Sequence, residues 1–413
     1  MSSPDIPLVA VTGALPLGGS STFLVNLARA FRARGLVLPM VVLSEDNAYA
    51  REFAALETPV TLIPHRSNIY EDRLRLAYEA VASWRPRAVL ACLGGESFEV
   101  LRLVPPGVAR LGIIQSHDPG PHEAVRLYAE WIDTVVGVSQ TICEHVRTAP
   151  SVASRRVEKI PYGIAFGPPV ERPATRAEEP LRIIYLGRLI EEQKRVSRLA
   201  ELIQLLSTRG VNFHFTFAGR GPQQPVLQAA LAGRAAVTFL GEVLTDSVPA
   251  LLAAQDVLVL LSDYEGLPLS LLEAMGAGVV PVVSDLESGI RDVVTEQTGV
   301  RVPIGDVSAA ADALVGLAQD RARLAALSAA AAQSVRTEYS AARMAEKYLQ
   351  VIGPLAPTPV LWPAEVPVPA PLGIERPWLY QGLPRVARRW TKRVRDQIGE
   401  QFNAGLRGSS NQS

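Results

Sequence analysis

Unbroken apolar runs such as PLVAVTG (7–13), RAVLACLG (87–94) and DVLVLLS (256–262) recur along most of the chain, and a segment of helical period follows most of them. A strand with one face in water alternates apolar and polar residues. These runs do not alternate, so the sheets they form must be covered on both faces. Parallel strands need long crossovers, which segments such as STFLVNLARAFRARG (21–35) and EDRLRLAYEAVASW (71–84) supply. The fold class that follows is α/β, built from βαβ units wound into doubly covered parallel sheets.

The pattern runs twice. Residues 1–166 hold seven strand candidates and form a first Rossmann-like domain. GPPVERPATRAEEP follows, charged and rich in proline, and residues 167–180 read as a linker. The alternation restarts at LRIIYLGRL (181–189) and runs through five strand candidates to GVVPVVSD (278–285); with the Ala-rich helices behind it, the second domain spans 181–352. Residues 353–413 begin with too many prolines for a helix or an inner strand and end in a basic segment. Two doubly wound domains facing each other leave a cleft, and ligands of such sheets bind beyond the carboxyl ends of the strands.

Charge and cysteine usage remove several function classes. The chain of 413 residues carries 41 Lys and Arg against 41 Asp and Glu, so no global field favours nucleic acid. Cys92 and Cys143 read as buried free thiols in a reducing compartment, and no Cys/His cluster has metal-ligand spacing. The N-terminus lacks the charged region, apolar run and cleavage site of a signal peptide, and no apolar run is long enough to span a bilayer. Cytoplasmic residence is the expectation, with no metal or cofactor.

Four stretches at strand ends carry candidate chemistry. In TGALPLGGSSTF, Gly18 and Gly19 let the backbone approach a ligand where the first helix opens, although a plain turn would use the same residues. In YLGRLIEEQKRV, Arg188 and Lys194 follow a strand and could neutralise a diphosphate without a metal; a solvated charged loop is the competing reading. FAGRGP places Gly219 and Gly221 in a turn. In SDYEGLPLSLLEAMGAG, Glu265 precedes a helix start whose free N–H groups lie near Gly266, Leu267, Pro268 and Leu269. Glu265 could simply complement the helix dipole. Glu273 sits among Leu271, Leu272, Ala274 and Met275, where a carboxylate needs a partner; ribose hydroxyls would serve.

Taken in order, the Gly-rich first loop, IPYGI (160–164), the Arg188 and Lys194 pair and the E-x7-E spacing of Glu265 and Glu273 resemble the retaining glycosyltransferases of family 4, over roughly residues 6–352. The resemblance implies a GT-B arrangement of two Rossmann-like domains and a nucleotide-sugar donor. It implies that Glu265 holds donor-sugar hydroxyls and Glu273 the ribose. Arg188 and Lys194, with backbone N–H groups of Gly266 to Leu269, would take the diphosphate, and Gly18 and Gly19 would close over it. His117, in QSHDPG, would stand near the donor sugar. Arg195 competes with Lys194 for its role. Tyr162 stands where the family commonly has Asn, and Ser288 and Gly289 occupy a loop that could touch the sugar. The acceptor would be a saccharide, a lipid-linked sugar or another hydroxyl compound, in polysaccharide or glycoconjugate synthesis. A sugar-nucleotide epimerase or hydrolase, or a non-catalytic nucleotide-sugar-binding partner, are the rival readings.

In the basic segment, Val386, Trp390, Val394, Ile398 and Phe402 recur at four-residue spacing among Arg385, Arg388, Arg389, Lys392, Arg393 and Arg395. Such a stripe, within residues 384–402, suits peripheral contact with an anionic membrane, or packing back on the protein.

Overall fold

A computed structural model describes residues 6–65, 69–117, 119–167, 178–353, 360–364 and 367. It contains two parallel sheets. The first comprises β1 (Leu8–Thr12), β2 (Met40–Val42), β3 (Val60–Leu62), β4 (Ala88–Cys92), β5 (Ala109–Ile114), β6 (Thr134–Gly137) and β7 (Arg156–Lys159), in the order β3-β2-β1-β4-β5-β6-β7. The second comprises β8 (Leu181–Leu186), β9 (Phe213–Ala218), β10 (Val237–Gly241), β11 (Val257–Leu260), β12 (Val280–Ser284) and β13 (Val300–Val302), in the order β10-β9-β8-β11-β12-β13. Both are doubly wound. Each reverses its winding at one place, between β1 and β4 and between β8 and β11, and crevices for ligands open above those places.

The central strands β1, β4, β11 and β12 are buried at every residue, as their continuous apolar runs require. The cysteines fit this core: both are buried free thiols. Both sheets are braced alike at the edge away from the crevice. Arg182, at the start of β8, donates Nε and Nη2 to Asp256 at 3.0 and 2.7 Å, and Asp256 also accepts the Arg182 backbone N–H. Arg110 and Asp133 make the same fork between β5 and β6 at 3.0 and 2.8 Å. Such bidentate pairs fix strand register as well as charge.

The structure differs from the sequence expectations in three respects. β13 lies at a sheet edge; its three residues form no continuous apolar run, so the second sheet has one strand more than expected. The helix Ala341–Ile352, placed by sequence in the second domain, packs on the helix Gly19–Arg32 of the first. Ile164 and the Tyr339–Ala341 stretch exchange backbone hydrogen bonds of 2.8 Å, so the chain crosses between sheets twice at one point, at IPYGI. Finally, part of the Pro-rich stretch returns to the first domain: Trp362 lies 5.9 Å from the Tyr78 ring, and the Tyr78 hydroxyl donates to the Pro363 carbonyl at 2.7 Å. Most of the expected linker (168–177) and the basic segment 384–402 lie outside the described residues. No helix among the described residues is long and apolar enough to cross a membrane.

Candidate active site

A cleft of about 540 Å³ lies between the carboxyl edges of the two sheets. The first domain lines it with the loops after β1 and β5, including Gly18, Gly19, Gln115 and Ser116. The second lines it with the loops after β8, β9, β10 and β11.

Arg188 is the second residue past β8, in a loop held by β9: the Gly187 N–H donates to the Ala218 carbonyl at 3.0 Å and Leu189 to Arg220 at 2.8 Å. A Cβ on Gly219 would fall 1.9 Å from the Gly187 carbonyl, and Gly219 has φ +136°, so only glycine permits this contact. The glycine that sequence explained as a turn therefore positions Arg188. The Tyr185 hydroxyl donates to the Arg188 carbonyl at 2.6 Å, and the guanidinium donates to Gln193 Oε1 at 3.2 Å. Among the described residues, no carboxylate pairs with Arg188, leaving its charge available at the cleft.

Glu265 is buried (5 % exposed) and lies between three donors. Lys194 Nζ is 2.5 Å from Oε1, the Ser262 hydroxyl donates to Oε1 at 2.7 Å, and the Gln193 amide donates to Oε2 at 3.3 Å. The Gln193 amide also donates to the Tyr264 carbonyl at 3.2 Å, so one amide side chain ties Arg188 to the Glu265 loop. Arg195 turns away. With Arg198 it grips Asp263, at 2.5 and 2.6 Å. Burial opposes ionisation of Asp263, but hydrogen bonds from the two arginines hold its carboxyl below the usual range. Of the two competing cations, Lys194 faces the cleft.

Gly266 to Leu269 form the floor where the domains touch. A Cβ on Gly266 would lie 2.0 Å from the Gln115 carbonyl, so the loop can reach the first domain only with glycine there. The helix Leu269–Gly276 starts after Pro268 with no side-chain cap, and Leu269 and Ser270 line the cleft. Its free N–H groups and dipole favour an anion. Glu273 follows one turn later. Desolvation pushes its carboxyl up to about 7, and no hydrogen-bonding or ionic partner holds it among the described residues.

The Gly18–Gly19 loop faces this floor, with Gly19 against Leu269. Tyr49 holds it. Its hydroxyl accepts the Gly18 N–H at 3.0 Å and lies 2.9 Å from Thr22 Oγ1. Sequence assigns no role to Tyr49 or Gln193: Gln193 stands out only as the residue where the resembled family commonly has its lysine, and a neutral polar side chain does not announce its contacts. Tyr49→Phe keeps the buried ring and removes the clamp. It is expected to cost about 1 kcal/mol of stability in a denaturant melt, with a several-fold loss of nucleotide affinity by calorimetry.

His117 is the expected site residue that the structure does not bring to the cleft. β5 ends at Ile114, and Gln115 and Ser116 take the cleft-lining positions. The His117 ring stacks on His122 at 5.8 Å and meets His145 edge-on at 6.2 Å, with Nε2 3.4 Å from Thr141 Oγ1. Tyr162 does line the cleft, whereas Ser288 caps the helix Gly289–Val293 through its own hydroxyl behind the Gly266 loop. No group of three or more His, Cys, Asp or Glu among the described residues could hold a metal ion.

Residues 180–320 match the family described as Glycosyl transferases group 1. The match covers about a third of the chain, and it is to this segment that the resemblance is carried. The segment holds every second-domain residue of the cleft. The amylovoran biosynthesis glycosyltransferase AmsK of Erwinia amylovora is 32 % identical over 172 residues, which is 39 % of this chain and 42 % of AmsK. The phosphatidyl-myo-inositol mannosyltransferase of Mycobacterium leprae is 24 % identical over 339 residues, covering 77 % of this chain and 88 % of that protein. The chain spans about two fifths of the length of the first curated relatives it matches, at 42 % and 39 %. Among solved structures, S. aureus TarM, in complex with UDP, superposes with TM-score 0.69 at 13 % identity, covering 84 % of this chain and 100 % of TarM. Anabaena HepE, also in complex with UDP, gives 0.67 at 14 % identity over 84 % of this chain and 100 % of HepE. The matched segment thus sits in a GT-B fold, two Rossmann-like domains across a cleft.

Proposed function

We propose that this chain is a retaining glycosyltransferase that moves a sugar from a nucleotide-sugar donor to a hydroxyl of a saccharide or lipid-linked acceptor. The observation that carries the reading is the division of charge in the cleft. Arg188 and Glu273, neither with an ionic partner among the described residues, line one cleft with the uncapped helix start at Leu269 and the Lys194–Glu265 pair. A nucleoside diphosphate sugar meets each of these needs. Its phosphates suit Arg188, Lys194 and the free N–H groups, its ribose hydroxyls suit Glu273, and its sugar hydroxyls suit Glu265. The names of the relatives support the acceptor class: one acts in amylovoran synthesis and one on phosphatidyl-myo-inositol.

The mechanism follows from where charge grows. When the glycosidic bond to the phosphate breaks, negative charge builds on the leaving oxygen, and fixed cations there stabilise it. Glu265 is already bound by Lys194, Ser262 and Gln193, which makes it a poor nucleophile. The reading is therefore front-face substitution, with the leaving phosphate oxygen taking the acceptor's proton and the anomeric configuration kept. Because side chains meet the diphosphate charge, transfer is expected to persist in excess EDTA.

Thermal melting against UDP, GDP, ADP and their sugar conjugates tests the reading. A ligand at about 100 times its Kd adds roughly 2.7 kcal/mol. One nucleotide should raise the melt, and turnover of its sugar conjugate should give the α product from an α donor. Absence of any shift, or an inverted product by NMR, overturns it.

A further inference from the structure

Gln115 is the first residue past β5, and its side chain lines the cleft although only 9 % of the residue is exposed. Its amide nitrogen lies 3.5 Å from the Ser20 carbonyl oxygen. A carbonyl can only accept, so the NH2 group faces Ser20 and the amide oxygen points elsewhere. That oxygen, Oε1, has no hydrogen-bond partner among the described residues. A buried acceptor left unpaired costs stability, and native folds retain few of them. The Gln115 backbone carbonyl rests against Gly266, the residue after Glu265. The loops holding Gly19 and Ser20, Gln115 and Ser116, and Glu265 to Leu269 thus meet at Gln115, whose side-chain oxygen is left unsatisfied within the cleft lining.

Only a hydrogen-bond donor can satisfy it. An ionised diphosphate offers none, whereas hydroxyls do. The ribose hydroxyls belong with Glu273, on the helix of the opposite domain. We infer that Gln115 Oε1 accepts a hydrogen bond from a hydroxyl of the sugar carried by the nucleotide, so that the first domain helps select the donor sugar. This rests on the donor-site reading proposed above. A site built to bond one hydroxyl rejects the analogue that lacks it, because its own acceptor is then left unpaired.

Gln115→Leu, apolar and one atom shorter, separates a ligand-binding role from a structural one. Removing an unsatisfied buried oxygen, at the loss of only the long 3.5 Å contact to Ser20, should leave the ligand-free melt of the full chain unchanged or raise it by roughly 1–3 °C; a structural role predicts a lower melt. Calorimetry would use UDP, GDP, ADP and their sugar conjugates. Affinity for the bare nucleoside diphosphate should stay within twofold, while the sugar conjugate binds at least tenfold more weakly. Among deoxy analogues of that sugar, one should bind the wild type as weakly as the parent sugar binds Gln115→Leu, and the variant should not distinguish the two. Unchanged sugar-nucleotide affinity, or equal losses for nucleotide and conjugate, overturns the inference alone. A wild type that binds no nucleotide, with Arg188→Ala behaving identically, overturns the donor-site reading and this inference with it.

Discussion

Arg188→Ala should lower turnover by about a hundred- to a thousandfold, the roughly 2.7–4 kcal/mol lost when a donor to a developing oxyanion is removed. Arg188 is exposed at the top of β8, and its head group bonds only Gln193 among the described residues. Its backbone, rather than its side chain, is built into the fold through Tyr185 and the Gly219 contact. The variant should therefore melt within about 0.5 kcal/mol of the wild type. Arg188→Lys keeps the charge and loses the fork, so it should fall between the two. The assay is release of nucleoside diphosphate from the sugar nucleotide that raises the melt, with simple glycosides as acceptors. A folded Arg188→Ala with wild-type turnover would remove the diphosphate from this end of the cleft.

The scaffold was largely legible in the sequence because burial leaves a strong pattern. Strand candidates in the sequence overlap all seven strands of the first sheet and five of the second, the central ones as unbroken apolar runs, and strand ends define the cleft. β13 was not legible: with only Val300, Arg301 and Val302 at an edge, it makes no run. Nor was the return of Ala341–Ile352 to the first domain, because an amphipathic helix states that it has an apolar face without stating what covers it.

The charged part of the site was legible for a different reason. Charged residues just past a buried strand, or on the apolar face of the helix that follows one, are seldom placed there without cause, and Arg188, Lys194, Glu265 and Glu273 do line one cleft. Neutral polar residues carry no such signal. Tyr49, Gln115 and Gln193 are ordinary in sequence and gain their meaning from contacts with residues far along the chain, such as Gly18, Ser20 and Glu265. His117 shows the converse. It stands two residues past cleft-lining Gln115, and the backbone turns its ring toward His122 and His145 instead.

Glu273→Gln should stabilise the empty protein and impair it as a binder. Desolvation raises the Glu273 carboxyl from 4.5 to about 7 in the fold. Below the lower value the group is protonated, folded or unfolded, and contributes nothing. Between the two values the unfolded chain has lost a proton that the fold still binds, so stability falls as pH rises; above about 7 the full penalty stands. Glutamine removes that penalty. Denaturant melts should find the variant equal to the wild type near pH 4 and more stable by roughly 1–3 kcal/mol at pH 8. Binding should move the opposite way. Ribose hydroxyls donate best to the ionised carboxylate, and a hydrogen bond to a charged group is worth about 1.5–3 kcal/mol, so nucleotide affinity should drop about ten- to a hundredfold in the variant. The same coupling makes wild-type affinity weaken as pH falls through about 7, with proton release on binding, whereas Glu273→Gln loses both effects. Calorimetry in buffers of different ionisation enthalpy measures that proton directly. A carboxylate placed only for the helix dipole would give a variant with unchanged affinity at every pH. One kept unpaired for a ligand gives a more stable protein that no longer holds the nucleotide.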